Sequence, residues 1–257
     1  MRIAWGIGCA LLAATAAQAE TAPICADRPT KANAVCTVPV GDWQLESAIA
    51  DWLRLDSDGS RTDTLLLGSS MLKLGLSERS DLELGITPFA RVSTGGDHVS
   101  GFGDLTLRYK HRLTAPNTPI QLAVIPFVKI PTAKTGIGNG KTEAGLALPI
   151  SFALAGPLTA TLGPEVDWLA DAGGHGRHPA IVQVLNLSAQ VAPQLTLVGE
   201  LWANWNFDPA GTVRQASADF AAAYAVTRTV QLDAGANLGL THDTSGIELY
   251  AGASIRF

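Results

Sequence analysis

Ionised side chains recur at alternate positions within otherwise apolar segments of this sequence. Glu46, Glu83, Arg91, Asp104, Arg108, Lys110, Arg112, Lys129, Glu143, Glu165, Asp167, Glu200, Asp219, Asp233, Glu248 and Arg256 share that placement, with Asn204 and Asn237 on the same parity. Charges confined to one face of a strand either pair with cross-strand partners or line a water-filled path. Bases concentrate in the third to fifth alternating segments and acids in the sixth to eleventh, a segregation that would set a field across such a path. If strands pair about a loop at 93–102, Arg91 meets Asp104 and Glu83 meets Arg112. Pairing about a turn at 114–118 brings Lys129 to Asp104. Ion-pair network and pore use the same residue types, and both readings stand open.

Other residues offer sharper chemistry on weaker patterns. His175 and His178 have the spacing of a metal pair, but in a Gly-rich loop; His98 and His242 also fall in loops, where solvated histidine is the commoner state. His98-Val99-Ser100 resembles the neighbouring His and Ser of outer-membrane phospholipase. A hydrolase would also need a third group to orient the histidine, and the sequence identifies none. Gly136 to Thr142 suggests a phosphate loop, yet Thr135 stands where the first glycine belongs and an alternating strand follows instead of a helix. No catalytic residue, metal or cofactor is expected. Cys25 and Cys36 are the two cysteines left once the N-terminal segment is set aside. A disulfide closing a short loop is the favoured state in an oxidising compartment, against free thiols or a metal pair.

The elements that must position these groups are strands. The 257 residues are 47% hydrophobic and 16% charged, and acids outnumber bases 23 to 18, which argues against a disordered chain and against nucleic acid as partner. Arg2, the apolar run of residues 3–14 and Ala17-Gln18-Ala19 read as a secretory signal peptide cleaved near Ala19. No later apolar run is long enough for a membrane helix. From Trp43 onward the pattern has period two, as in Asp104-Leu105-Thr106-Leu107-Arg108-Tyr109-Lys110, where every even position is polar. Twelve such segments start near Trp43, Thr64, Leu82, Gly103, Ile120, Ala144, Leu158, Ala180, Leu195, Ala216, Val230 and Ile247. Short turns alternate with longer Gly- and Asp-rich loops, describing an up-and-down meander.

Alternation alone also fits a soluble sandwich or ligand-binding barrel. Three features favour a membrane barrel. Trp43, Tyr224 and Phe257 gather at the turn ends and Trp168, Trp205 and Phe207 at the loop ends, as two interfacial girdles. The opposite face is rich in charge. The last segment stops on Phe257, resembling the ending that insertion machinery reads in outer-membrane barrels. Asp51 on the lipid parity, the run Leu65-Leu66-Leu67, and Gln183 outward with Val182 and Val184 inward break the pattern, and predict bulges.

Longer strings carry a family resemblance. Ile24-Cys25-Ala26-Asp27-Arg28-Pro29-Thr30-Lys31-Ala32-Asn33-Ala34-Val35-Cys36-Thr37-Val38-Pro39, followed by Gly41-Asp42-Trp43-Gln44-Leu45-Glu46, resembles the start of the outer-membrane family labelled "putative MetA-pathway of phenol degradation". Gly101-Phe102-Gly103-Asp104-Leu105 and Ile130-Pro131-Thr132-Ala133-Lys134-Thr135-Gly136-Ile137-Gly138-Asn139-Gly140-Lys141-Thr142 look like its fourth-strand start and mid-chain loop. The resemblance implies a transporter-like barrel and fixes no solute.

The expectation is therefore a signal peptide at 1–19, a periplasmic segment at 20–41 closed by the disulfide, and a twelve-stranded up-and-down antiparallel transmembrane β-barrel at 42–257 in the outer membrane of a Gram-negative bacterium. Lipid, the insertion machinery and a small-molecule solute are the implied partners. The expected function is passive passage of small molecules, aromatic or hydrophobic if the family label holds; the alternatives are a closed surface-binding barrel or a lipid-modifying hydrolase. The Cys25–Cys36 loop is compact enough to enter the lumen from the periplasmic side, with Asp27, Arg28 and Lys31 meeting interior charges.

Overall fold

A computed structural model describes residues 22–57, 59–116 and 118–257; the expected signal peptide lies outside them. One antiparallel sheet contains β1 (Trp43–Ser57), β2 (Ser60–Ser77), β3 (Ser80–Ile86), β4 (Phe89–Thr94), β5 (Asp97–Gly101), β6 (Leu105–Arg112), β7 (Ile120–Ile130), β8 (Glu143–Ala147), β9 (Ile150–Ala153), β10 (Leu158–Leu162), β11 (Glu165–Ala170), β12 (Arg177–Ala192), β13 (Leu195–Asn206), β14 (Val213–Ala225), β15 (Val230–Gly239) and β16 (Ile247–Arg256). β1 pairs with both β2 and β16, which closes the sheet into a barrel and removes its edges. The segments β3/β4, β5/β6, β8/β9 and β10/β11 are each one interrupted stave, so twelve staves form the wall. The starts expected at Trp43, Ile120, Leu158, Leu195, Val230 and Ile247 coincide with observed ones.

Proline accounts for three of the interruptions. Pro88, Pro149 and Pro164 have no N–H to give the ladder. Neighbouring groups keep the wall bonded: Leu148 N–H donates to Pro164 O at 2.9 Å, and Gly163 and Val184 exchange bonds of 2.9 and 3.2 Å.

The barrel is inside-out relative to a soluble protein. Leu84, Leu107, Leu187, Leu197, Leu232 and Leu249 are exposed on the outer face, while Glu46, Lys73, Glu83, Lys110, Glu200 and Asp219 are buried within. An outer face of leucine is stable only against hydrocarbon. The expected girdle residues Trp43, Tyr224, Phe257, Trp168, Trp205 and Phe207 are all exposed at stave ends.

Two expectations need correction. The 93–102 segment is no open loop: Thr94 pairs with Asp97 across a two-residue Gly95-Gly96 turn, with φ of 61° and 100°. A two-residue hairpin with positive φ at both central positions matches the right-handed twist of its strands, and glycine supplies it without steric cost. The register then pairs Arg91 with Ser100 and Glu83 with Arg108, four residues from the pairing expected about a longer loop.

The second correction concerns parity. Along one line crossing four neighbouring staves, Ile49, Gly68, Pro88 and Gly103, the alternation skips a residue. β1 bulges there against β16, where Ala48 pairs with Gly252 and Ala50 with Ala251. Leu249 faces outward, and its register partners Trp52, Leu65 and Arg91 follow it. Asp51 therefore turns inward with Leu66, as the bulge expectation required, whereas Arg91 turns outward and leaves the expected lumen set. In β12 the register is unbroken from Ala180 to Gln190 and shifts only between Gln190 and Ala192, so Gln183 faces out and Val182 and Val184 face in without a bulge beside them.

Gly96→Val is expected to lower stability by about 1–2 kcal/mol, the usual cost of a left-handed L-residue. Equilibrium urea unfolding in lipid vesicles measures it, and an unchanged midpoint would contradict the turn assignment.

Candidate functional site

The lumen is occupied by the chain's own N-terminal segment, residues 22–39. It is anchored at the turn end, where Ile24 N–H donates to Arg228 O at 2.8 Å and Arg256 donates to Pro23 O at 3.3 Å. The Cys25–Cys36 disulfide closes a loop inside the barrel, with a Cα separation of 5.9 Å. The chain leaves by passing so close to β2 that a Cβ on Gly75 would sit 1.9 Å from Pro39 O. Only glycine fits at that crossing.

Two walls of opposite charge hold this plug. On the first, Lys73 and Lys110, both fully buried, converge on the Asp27 carboxylate at 2.6 and 2.9 Å. Glu83 lies behind them, 3.8 Å from Lys73, 3.2 Å from Lys110 and 2.9 Å from Arg108, and Glu46 also pairs with Lys73. Glu46 in turn accepts the N–H groups of Asp27 and Arg28 at 2.9 and 3.0 Å. Arg108 donates to Asn33 of the plug. On the second wall, Arg28 pairs with Asp233 at 2.6 Å and Lys31 with Asp219 at 2.8 Å. Glu200 accepts the N–H groups of Lys31 and Ala32 at 2.9 and 3.1 Å. The segregated charges expected from sequence are thus neither a simple cross-strand network nor a bare field. The plug carries the complementary charges.

A small apolar contact sits between the walls. Val182 and Val184, inward against the pattern, pack on Ala32 of the plug beside Trp202, whose ring lies 4.9 Å from the Lys31 Nζ. Their orientation has a partner and needs no bulge.

The remaining expected lumen residues fall in four groups. Near the loop end Lys129 bridges Asp104 at 3.3 Å and Glu143 at 2.8 Å, as the turn-centred pairing predicted, and the 131–142 loop folds over them through Ala133 N–H on Asp104 at 2.9 Å. Glu165 and Asp167 face inward on β11, where Gly145 opposite leaves room for both the Asp167 carboxylate and the Phe127 ring. Asn237 donates to Glu248 at 2.7 Å and Asn204 to Gln215 at 3.2 Å. Arg112 lies at the turn end and donates to Glu78 O at 2.8 Å instead of meeting Glu83. Arg256 pairs with Asp42 at 3.4 Å.

The lumen set expected from sequence left out Lys73, Gln44 and Asp81. Gln44 donates to Cys25 O at 2.6 Å and Asp81 accepts Val38 N–H at 2.9 Å. The signal for Lys73 was local, the run Leu72-Lys73-Leu74-Gly75-Leu76, but the triple leucine upstream hid its parity. His178 is buried against Asp171 at 2.8 Å, not solvated as a loop histidine would be, while His175 is exposed. Asp208 ties the same loops together, and the N–H groups of Ala210 and Ala172 hold its carboxyl below the usual range. His98 and Ser100 lie on β5, with Ser100 opposite the outward Arg91.

Cavities lie on either side of the plug. One of about 440 Å³ reaches toward the loop end and is bounded by Arg108, Asp104, Glu165, Phe127 and Met71; another of about 290 Å³ lies toward the turns beside Ser151, Asn186 and Gln231. Asp27, Arg28, Thr30 and Asn33 border both.

The family model described as "Putative MetA-pathway of phenol degradation" matches residues 26–257, plug and barrel together. The chain belongs to this family. Among solved structures it is similar to an outer-membrane channel from Pseudomonas putida F1, with TM-score 0.73 and 18% identity over 87% of this chain and 98% of that one. It also resembles the NanC porin, at TM-score 0.52 and 8% identity over 83% and 98% of the two chains. The translocator domain of the autotransporter NalP from Neisseria meningitidis matches at TM-score 0.53 and 13% identity, over 86% and 90%. These likenesses establish the fold of a transmembrane β-barrel for this member of the phenol-degradation family. No curated relative matches the chain.

Asp27→Asn leaves two buried ammonium groups short of a counter-charge. A loss of about 3–5 kcal/mol is expected. Arg28→Gln removes a more exposed plug side chain that meets one carboxylate and is expected to cost less; denaturant titration of both variants in detergent micelles orders them.

Proposed function

We propose that the protein is an outer-membrane channel through which small molecules diffuse passively, closed at rest by its N-terminal segment. The observation that carries this reading is a charged lumen with cavities on either side of a plug attached mainly through ion pairs and hydrogen bonds. A barrel meant only as a scaffold could fill its interior with interlocked side chains, as small barrels do. Here the polar lining is arranged around a removable strand of chain. The channel and porin likenesses agree with this reading, and the turn end, where residues 22–39 enter, is assigned to the periplasm. Cleavage near Ala19 would free the segment to fold back, and Phe257, exposed at the same end, is assigned to recognition by the insertion machinery.

The expected lumen residues, apart from Arg91, are assigned as pore lining, with Lys73 and Asp51 added. Aromatic or hydrophobic solutes rest on the family's description alone. No enzymatic role is assigned: His98 and Ser100 stand on an outward hairpin, and among the described residues no carboxylate is hydrogen-bonded to His98.

Planar-bilayer recording of the purified mature protein tests the proposal. The wild type is expected to conduct in rare openings. Neutralising the plug's charges with Asp27→Asn, Arg28→Gln and Lys31→Gln together is expected to raise the open fraction at least tenfold, with arabinose entering proteoliposomes. Silence of both proteins, with the variant shown to be folded, would refute a channel.

A further inference from the structure

The plug's charged side chains occupy positions on the lumen wall that a solute could occupy in their place. Lys73, Arg108 and Lys110 form one wall with only Glu46 and Glu83 as wall carboxylates within ion-pair distance. Among these five ion-paired groups one positive charge is left over, and the Asp27 carboxylate meets it. Asp81 stands opposite Lys110 in register but directs its carboxylate to Val38 N–H. Across the lumen, Glu200, Asp219 and Asp233 form a wall short of cations, to which Arg28 and Lys31 bring two. The Arg28 guanidinium meets Asp233 through two donors, Nη2 at 2.6 Å and Nε at 3.3 Å. This is the forked geometry by which arginine recognises a carboxylate.

Asp27 and Arg28 are consecutive, so one short piece of chain spans both walls. When the plug withdraws, the wall charges that it met lose their partners, and a narrow lumen lined by them favours entry of a counter-charge. A solute bearing a single charge could satisfy only one wall. A hydrophobic solute could satisfy neither.

We infer that the plug is a built-in mimic of the solute, and that the open lumen selects zwitterions with a carboxylate for Lys73 and Lys110 and a guanidinium or ammonium for Asp233 and Asp219. Amino acids and short peptides with a basic side chain are the chemical class. Free arginine carries one carboxylate and two cationic groups, the complement that Asp27, Arg28 and Lys31 present. The inference rests on the channel reading and narrows its solute away from the phenolic class that the family label suggests.

Proteoliposome swelling with L-arginine, agmatine, phenol and arabinose separates the two ideas. Agmatine is arginine without its carboxylate. For the mature wild type and for Asp27→Asn, L-arginine is expected to enter at least five times faster than agmatine and faster than arabinose. Lys110→Met is expected to abolish the preference over agmatine. Asp233→Asn tests the opposite wall, slowing arginine relative to arabinose, and serves if Lys110→Met does not assemble. Entry of arabinose with arginine and agmatine equal in wild type and Asp27→Asn, or with phenol fastest, would overturn the inference and leave the channel standing. Exclusion of every solute from both proteins would remove both.

Discussion

The interaction on which the rest depends is the approach of two buried ammonium groups, Lys73 and Lys110, to one carboxylate on a segment outside the barrel wall. Charges removed from water must be paired or the fold does not tolerate them. Closing a sheet into a twelve-stave barrel creates an interior of polar side chains too narrow to hydrate like bulk solution. The chain answers with its own N-terminus. Asp27 serves the basic wall, Arg28 and Lys31 serve the acidic wall, and Ala32 seats on Val182 and Val184 between them. Stability of the closed state and occlusion of the lumen then have one cause.

The disulfide and the glycines serve that arrangement. Cys25 and Cys36 bracket the interacting residues, which restricts the loop to a compact form that can present three charges at once. Gly75 admits the plug backbone against β2, and Gly252 leaves space that Arg28 fills, since a Cβ there would lie 2.4 Å from its Nη2. A wall glycine that would read as a weak point in a strand is here a contact surface for another piece of chain.

The line of Ile49, Gly68, Pro88 and Gly103 has a different consequence. Above it the inward and outward sets exchange, so that Asp51 joins the lumen and Arg91 leaves it. Such a step changes the wall's charge without changing composition, and it removes Arg91 from a loop-end cavity left to Arg108, Asp104 and Glu165.

Period-two alternation, the short turns and the terminal aromatics determined the barrel, its stave number and which face meets lipid, because those features depend on each residue's near neighbours. Glu46, Glu83, Arg108, Glu200, Asp219 and Asp233 were legible as interior for the same reason. The sequence also marked Asp27, Arg28 and Lys31 as charges able to meet that interior. What it could not carry was register. A two-residue Gly95-Gly96 turn moved Glu83 from Arg112 to Arg108, and a bulge shared by four staves reversed Arg91. Partners across the lumen, such as Arg28 and Asp233, are 205 positions apart in the chain, and no local pattern links them. Only closure of the barrel brought the two walls to opposite sides of one plug, and so decided which charges balance which.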